Sequence, residues 1–164
     1  ISDEIICKTL KNYRGVWRRM EIIWNTENGN MLMSDYGHHP TEISVTLRAL
    51  KQGFLDKKLL VVFQPHQYSR TLELLQGFQN CFSDADSIII PNIYASRDSA
   101  EDMQKISAKS LTLSIQHPNV IFWDGFENTL KLIEKYEREN PNSSIILLQG
   151  AWDIDTLRYN IKTR

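Results

Sequence analysis

Residues 59–63 (LLVVF) form a short, unbroken apolar run, and the polar segment 64–71 (QPHQYSRT) follows it directly. A run of this length without alternating polar positions is typical of a strand that is covered on both faces. Three later segments have the same character: residues 87–90 (SIII), 120–123 (VIFW) and 145–148 (IILL). Together they predict a sheet with two buried faces.

Stretches with helical spacing separate these strands. After the first strand, apolar residues recur at intervals of three or four, at Leu72, Leu75, Phe78 and Phe82. Residues 99–102 (SAED) resemble a capping box that opens a helix running to Ile115. A third apolar helix face comprises Phe126, Leu130, Ile133 and Tyr136. This alternation predicts an α/β fold, a Rossmann-like, doubly wound and mostly parallel sheet with helices on both faces.

The first third of the chain has a different pattern. Residues 8–13 are expected to end a helix or linker, and residues 20–24 and 31–35 are expected to be two strands. The Asn-Gly pair in residues 26–30 predicts an N-terminal hairpin between them. Pro40 suits the first turn of a helix that extends to about residue 54. Without a repeat or a convincing linker, we expect residues 1–164 to form a single domain.

Composition and charge restrict the classes of function. The net charge of -1 gives no basic excess that would predict a nucleic acid or an acidic membrane as a partner. No apolar run approaches the about 20 residues that cross a bilayer, and the acidic start ISDE is not that of a signal peptide. Cys7 and Cys81 lie far apart, so we expect two reduced thiols in a cytoplasmic protein.

Two polar segments follow predicted strands and lead into predicted helices, at residues 34–42 (SDYGHHPTE) and 63–71 (FQPHQYSRT). Ligands of open α/β sheets bind beyond the carboxyl ends of the strands, so His38, His66 and Arg70 should lie at one edge. Helix N-termini favour anions, and arginine holds a carboxylate through paired donors. The two segments therefore predict a small-anion pocket.

Each segment also has a structural interpretation. A His-His-Pro sequence before a helix is often only a polar loop with a cap, and an arginine in a first helical turn is often solvated. A zinc site formed by His38, His39 and His66 is disfavoured, because adjacent histidines point in different directions and no carboxylate stands at motif spacing. His117 is expected to be a surface turn residue.

These segments resemble the C-terminal domain of the Mur ligase family, in particular its members that add L-alanine. Those members carry DYGHHPTE, found here at residues 35–42, and FQPHRYSR, found at residues 63–70 with Gln67 in place of an arginine. Residues 15–21 (GVWRRME) resemble the family's GVxRRFE at the entry to this domain, and residues 148–154 (LQGAWDI) resemble its GAGDI.

The resemblance implies an ATP-dependent ligase of peptidoglycan synthesis that joins L-alanine to UDP-N-acetylmuramate and thereby serves cell-wall biogenesis, cell shape and cell division. ATP with Mg²⁺ converts a substrate carboxylate into an acyl phosphate, which the amine of the amino acid attacks. The sequence contains no GxxxxGK[ST] phosphate loop. We therefore expect the family's N-terminal UDP-binding and middle ATP-binding domains to be absent from this chain, and the chain alone to be inactive.

The resemblance also implies roles for single residues of the amino-acid pocket. Tyr36, His38, His66 and Arg70 would contact the amino acid or the reacting acyl group. Arg70 would be the partner of the alanine carboxylate. His39 would be structural and support the turn.

On the nucleotide side, the resemblance implies that Arg19 reaches the phosphates and that Asp35 reaches the ribose. Three positions depart from the family: Gln67 replaces an arginine, Trp152 a glycine and Met20 an aromatic residue. Two alternative functions therefore stay open, a ligase that recycles ready-made murein peptides and a non-catalytic α/β module that binds amino acids or partner proteins.

Overall fold

The computed structural model describes residues 1–13 and 15–163 and contains a six-stranded sheet. The strands are β1 Glu21–Asn25, β2 Met31–Asp35, β3 Lys58–Gln64, β4 Ser87–Ile90, β5 Val120–Phe122 and β6 Ser144–Gly150. Their order in the sheet is β1-β2-β6-β3-β4-β5. β1 pairs antiparallel with β2, and the other neighbouring strands pair parallel. The predicted mostly parallel sheet and its N-terminal hairpin are confirmed.

Helices pack on both faces of this sheet, as predicted. The α-helices are α1 Asp3–Lys11, α2 Pro40–Gly53, α3 Tyr68–Glu73, α4 Leu75–Asn80, α5 Ala100–Lys105, α6 Ala108–Ser114 and α7 Phe126–Glu139. A 3-10 helix, Asp153–Tyr159, follows β6. Buried residues of α2, α4 and α6 join the core on one face, and those of α7 and the 3-10 helix join the core on the other.

The apolar run in β3 shows how the two cores are divided. Val61 and Phe63 belong to the first core, and Leu60 and Val62 belong to the second. All four side chains are at most 1 % exposed. Because successive side chains of a strand point to opposite faces, an unbroken apolar run is what a strand buried on both sides requires.

The last strand, β6, lies in the sheet between β2 and β3. The chain passes from β2 to β3 through α2 on one face, and it returns from β5 to β6 through α7 on the other face. Such a reversal is a topological switch point, where the crevice opens at the carboxyl ends of the strands. The segments that follow β2, β3 and β6 therefore meet at one edge.

The prediction of one continuous helix from Ser99 to Ile115 is wrong. The structure divides it at Ile106, which has an extended φ of -147° and is buried. Ser107 then caps α6 with a second capping box. The apolar spacing persists across the break because Ile106, Leu111 and Ile115 belong to the same core.

The helix predicted over residues 72–82 is also divided. α3 ends at Glu73 and α4 begins at Leu75, while Phe82 lies in the turn beyond α4. Phe78 and Phe82 both pack into the first core, so they keep the helical spacing although the backbone between them changes.

Near the N-terminus, element boundaries differ by a few residues from the prediction. α1 runs from Asp3 to Lys11, earlier than expected, and β1 begins at Glu21 because Met20 has a positive φ of 47°. Gly29, with φ of 79°, makes the turn of the predicted hairpin. No helix in the described part of the chain has the length and apolar character needed to cross a membrane.

Candidate functional site

The loop after β2 is held by the carboxylate of Asp35. Its Oδ2 accepts the backbone N–H of Met20 at 3.0 Å, and its Oδ1 accepts that of Gly37 at 2.8 Å. A Cβ at Gly37 would lie 2.6 Å from Oδ1, so this close turn requires glycine. Asp35 is 4 % exposed. The carboxylate predicted to reach a ribose thus also has a structural role.

α2 begins with a complete capping box. The His39 ring accepts the N–H of Thr41 through Nδ1 at 3.2 Å. A carboxylate oxygen of Glu42 accepts the N–H groups of His38 and His39, each at 3.0 Å. Pro40 occupies the first turn, as predicted. The structural role predicted for His39 is therefore confirmed.

The loop after β3 is built by contacts with the neighbouring loop. Gln67 has φ of 66° and ψ of 134°, and its side chain makes no cap bond to α3. Its N–H donates to the carbonyl oxygen of Tyr94 at 2.9 Å. Asp98 accepts the backbone N–H and the hydroxyl of Ser69, each at 3.0 Å. The loop after β4 therefore positions the start of α3.

The structure brings together the four residues predicted to bind substrate. Arg70 Nη1 lies 2.9 Å from His38 Nε2, and His38 Nδ1 lies 3.1 Å from the carbonyl oxygen of Tyr36. Because a guanidinium is only a donor, Nε2 accepts, and the ring proton on Nδ1 points to the Tyr36 carbonyl. The ring centroids of His38 and His66 are 6.0 Å apart. The predicted position of His38, His66 and Arg70 at one sheet edge is confirmed.

His66 has an unusual environment at this edge. Both of its ring nitrogens are buried and lack a hydrogen-bond partner within residues 1–13 and 15–163. Burial, followed by the proximity of His38 and Arg70, lowers the pKa of His66 below its ordinary value of 6.5, and Asp98 only partly offsets this. This shift favours the neutral ring, which can still accept or donate a hydrogen bond.

An aromatic cluster of His66, Tyr94 and Trp152 stands beside this ring. Tyr94 lies near-parallel to both partners, with centroids 5.8 Å from His66 and 5.6 Å from Trp152. His66 and Trp152 are 6.2 Å apart. The sequence prediction assigned no role to Tyr94 and treated Trp152 only as a departure from the family. A tryptophan directly beyond a central strand is the signal that could have identified it.

Arg19 and Asp35, the residues predicted for the nucleotide, border one cavity of about 360 Å³. Met20, Glu42, Val45 and Thr46 complete its lining. Arg19 is exposed, and its guanidinium carbon lies 5.4 Å from the centroid of the Tyr36 ring. The cavity thus has an exposed guanidinium, a buried carboxylate and an apolar surface side by side.

Arg18, which the sequence prediction left without a role, is 4 % exposed. Its guanidinium donates to the carbonyl oxygens of Gly150 and Ala151 and lies 5.1 Å from the Tyr36 ring centroid. It also pairs with Asp155 at 3.7 Å. Arg18 therefore ties the turn after β6 to the loop after β2. Two adjacent arginines in an irregular segment give no pattern that would reveal which one is buried.

Among the described residues, no group of three histidine, cysteine, aspartate or glutamate side chains is placed to hold a metal ion.

His117, predicted to be a turn residue, accepts the N–H of Asn119 through Nδ1 and contacts the carbonyl oxygen of Ala85 through Nε2. Burial raises the pKa of Cys81 to about 12, and both cysteines are free.

Residues 18–152 match the family model for the Mur ligase, glutamate ligase domain. The UDP-N-acetylmuramate--L-alanine ligase of Geobacter sp. (strain M21) is 37% identical over 154 residues, which is 94% of this chain and 33% of that protein. The chain therefore spans about a third of the length of this curated relative.

Two solved structures share the fold. The UDP-N-acetylmuramate-alanine ligase of Thermotoga maritima aligns with 93% of this chain and 32% of its own, with a TM-score of 0.68 and 23% identity. A murein peptide ligase from Psychrobacter arcticus aligns with 94% of this chain and 31% of its own, with a TM-score of 0.59 and 21% identity. At these identities the likeness concerns the fold alone.

Proposed function

The chain belongs to the Mur ligase family, and from this premise we propose that it is the amino-acid-binding C-terminal domain of an ATP-dependent ligase. In this proposal the ligase joins L-alanine to UDP-N-acetylmuramate in the cytoplasm, for peptidoglycan synthesis. The proposal includes UDP-binding and ATP-binding domains in a longer protein, because the chain spans only about a third of its curated relative, and it holds that these 164 residues alone do not turn over.

The contact between Arg70 and His38 is the observation that carries the proposal. One N–H of the guanidinium is directed to His38 Nε2. A guanidinium has five donors in a planar fork, so the others can hold the carboxylate of an amino acid in two-pronged geometry. His38, oriented by the Tyr36 carbonyl, fixes the direction of the fork. The amine of the bound amino acid is thereby held in place for attack on the activated substrate.

The nucleotide side of the proposed site uses Arg19 and Asp35. The exposed Arg19 suits phosphate oxygens, and the Asp35 carboxylate can accept a further hydroxyl donor, since each carboxylate oxygen has more than one lone pair. Met20 and Val45 supply an apolar surface in the same cavity. ATP with Mg²⁺ supplies the phosphoryl group that activates the substrate carboxylate, and in the proposal the middle domain binds most of both.

An assay of amino-acid-dependent ADP release tests the proposal. The protein that contains this chain together with its other domains should release ADP with UDP-N-acetylmuramate and L-alanine, whereas these 164 residues alone should not. Substituting a murein tripeptide for L-alanine separates biosynthesis from peptide recycling. ADP release that needs the tripeptide and ignores L-alanine would refute the proposed substrate, and none with either would favour the non-catalytic module.

A further inference from the structure

Trp152 lies at the same sheet edge as the proposed site, beside His66. β6 ends at Gly150 and lies between β2 and β3, the strands that carry His38 and Arg70 into the site. The residue two positions beyond β6 therefore lies at the same edge as both loops, and its ring stacks on His66 and Tyr94. Its side chain is 50% exposed, so it presents surface to anything that enters there.

The exposed indole has a rigid support. Trp152 lies near-parallel to Tyr94, with an interplanar angle of 15°, and to His66, with an angle of 28°. Tyr94 is held in turn, since its N–H donates to the carbonyl oxygen of Pro65 and its carbonyl oxygen accepts the N–H of Gln67. Aromatic rings have few rotatable bonds, and three that pack on one another cannot easily turn aside.

We infer that Trp152, supported by Tyr94 and His66, is the wall that meets the side chain of the incoming amino acid and limits the site to small side chains. The inference rests on the proposed function. Arg70 and His38 fix the carboxylate end of the amino acid, and the His66 ring at the base of the wall is 6.0 Å from that of His38. By this inference, a side chain larger than a methyl group meets the stacked rings, so that either the anchor or the rings must shift.

The test measures amino-acid selectivity in the protein that contains this chain and its other domains. ADP release is followed with glycine, L-alanine, L-2-aminobutyrate and L-valine, and the kcat/KM of each is divided by that of L-alanine. Trp152→Ala should raise the ratio for L-2-aminobutyrate by roughly tenfold, the scale of one methylene in an apolar pocket. Trp123→Ala is the matched control, since Trp123 is 48% exposed beyond β5, at the far edge of the sheet.

An unchanged ratio in Trp152→Ala would overturn the inference, and so would a lowered ratio, which would mean that the indole attracts larger side chains. Trp152→Phe keeps a ring in the cluster and should raise the ratio by less, so it tests the inference even where Trp152→Ala does not fold. If the unsubstituted protein uses L-alanine and the ratios stay flat, only the inference fails. If it uses no amino acid, the proposed function fails and the inference fails with it.

Discussion

The loops that follow β2 and β3 have the same pattern in the sequence, yet they are built differently. Each leads from a buried strand through a histidine into a helix, and the contact between His38 and Arg70 joins the first loop to the helix that follows the second. At the end of the first loop, the start of α2 is capped by local residues, through the capping box of His39 and Glu42. In the second, the Gln67 side chain provides no cap, and the start of α3 depends on Tyr94 and Asp98 from another loop.

The two loops therefore differ in whether local or distant residues determine their structure. Contacts between residues two to four positions apart can be encoded by a local motif, because the same few residues make and satisfy them. Contacts with a different strand require the whole sheet to form first. We therefore expect substitutions in the first loop to alter mainly stability, and substitutions where the two loops meet to alter mainly activity.

The largest effect is expected where the loops meet, at Arg70. In the protein with its other domains, Arg70→Ala should lower kcat/KM for L-alanine by roughly 30-fold or more. This corresponds to a loss of about 2–5 kcal/mol of transition-state stabilisation, because a carboxylate would lose its paired donor in a desolvated site. Arg70→Lys keeps the charge but loses the forked pair of donors, so its kcat/KM should lie between those of the unsubstituted protein and Arg70→Ala. The measurement is ADP release at varied L-alanine.

Arg48→Ala is the matched control for this prediction. Arg48 has an exposed side chain and a distant pairing with Asp84 at 3.7 Å, and surface pairs of this kind contribute little. Its kcat/KM should match that of the unsubstituted protein. An Arg70→Ala variant that performs as well as Arg48→Ala would remove Arg70 from the proposed site.

The same contrast explains how much of the molecule the sequence could predict. The apolar runs identified the α/β sheet, and Pro40 and the polar segment before it located the start of α2, because these signals are local. The breaks at Leu74 and Ile106 escaped prediction, since the buried residues keep helical spacing across both. The aromatic cluster around Trp152 joins three loops that are far apart in the chain, and no spacing rule connects them.

A smaller effect, on stability, is expected in the first loop. Burial alone would raise the pKa of Glu42, but hydrogen bonds from the backbone N–H groups of His38 and His39 outweigh it and hold that pKa below its ordinary 4.5. Glu42→Gln should therefore lower the free energy of unfolding by about 1 kcal/mol at pH 7. Urea denaturation of this chain measures it, with Glu73→Gln on the exposed side of α3 as the control.

The pH dependence of this difference has a definite sign. A carboxylate whose folded pKa is depressed stabilises the fold fully above its unfolded pKa, and that contribution disappears as the pH falls through the folded value. The gap between the unsubstituted chain and Glu42→Gln should thus be complete at pH 7 and should close in acid, below the ordinary value of 4.5. A gap that stays constant between pH 7 and pH 3 would contradict the role of the charged carboxylate in the capping box.

The smallest effect is expected at Gln67, where the second loop holds a non-glycine residue at φ of 66° and ψ of 134°. This conformation is unfavourable for a residue with a Cβ, while glycine adopts it freely but loses more entropy on folding. Gln67→Gly should therefore raise the free energy of unfolding by only about 0.5 kcal/mol. Asn142→Gly, at φ of 54°, is the control. Its free energy of unfolding should rise by less, because asparagine tolerates positive φ. If Gln67→Gly is instead less stable than Asn142→Gly, the Gln67 side chain stabilises the loop, and the second loop is more locally encoded than its contacts indicate.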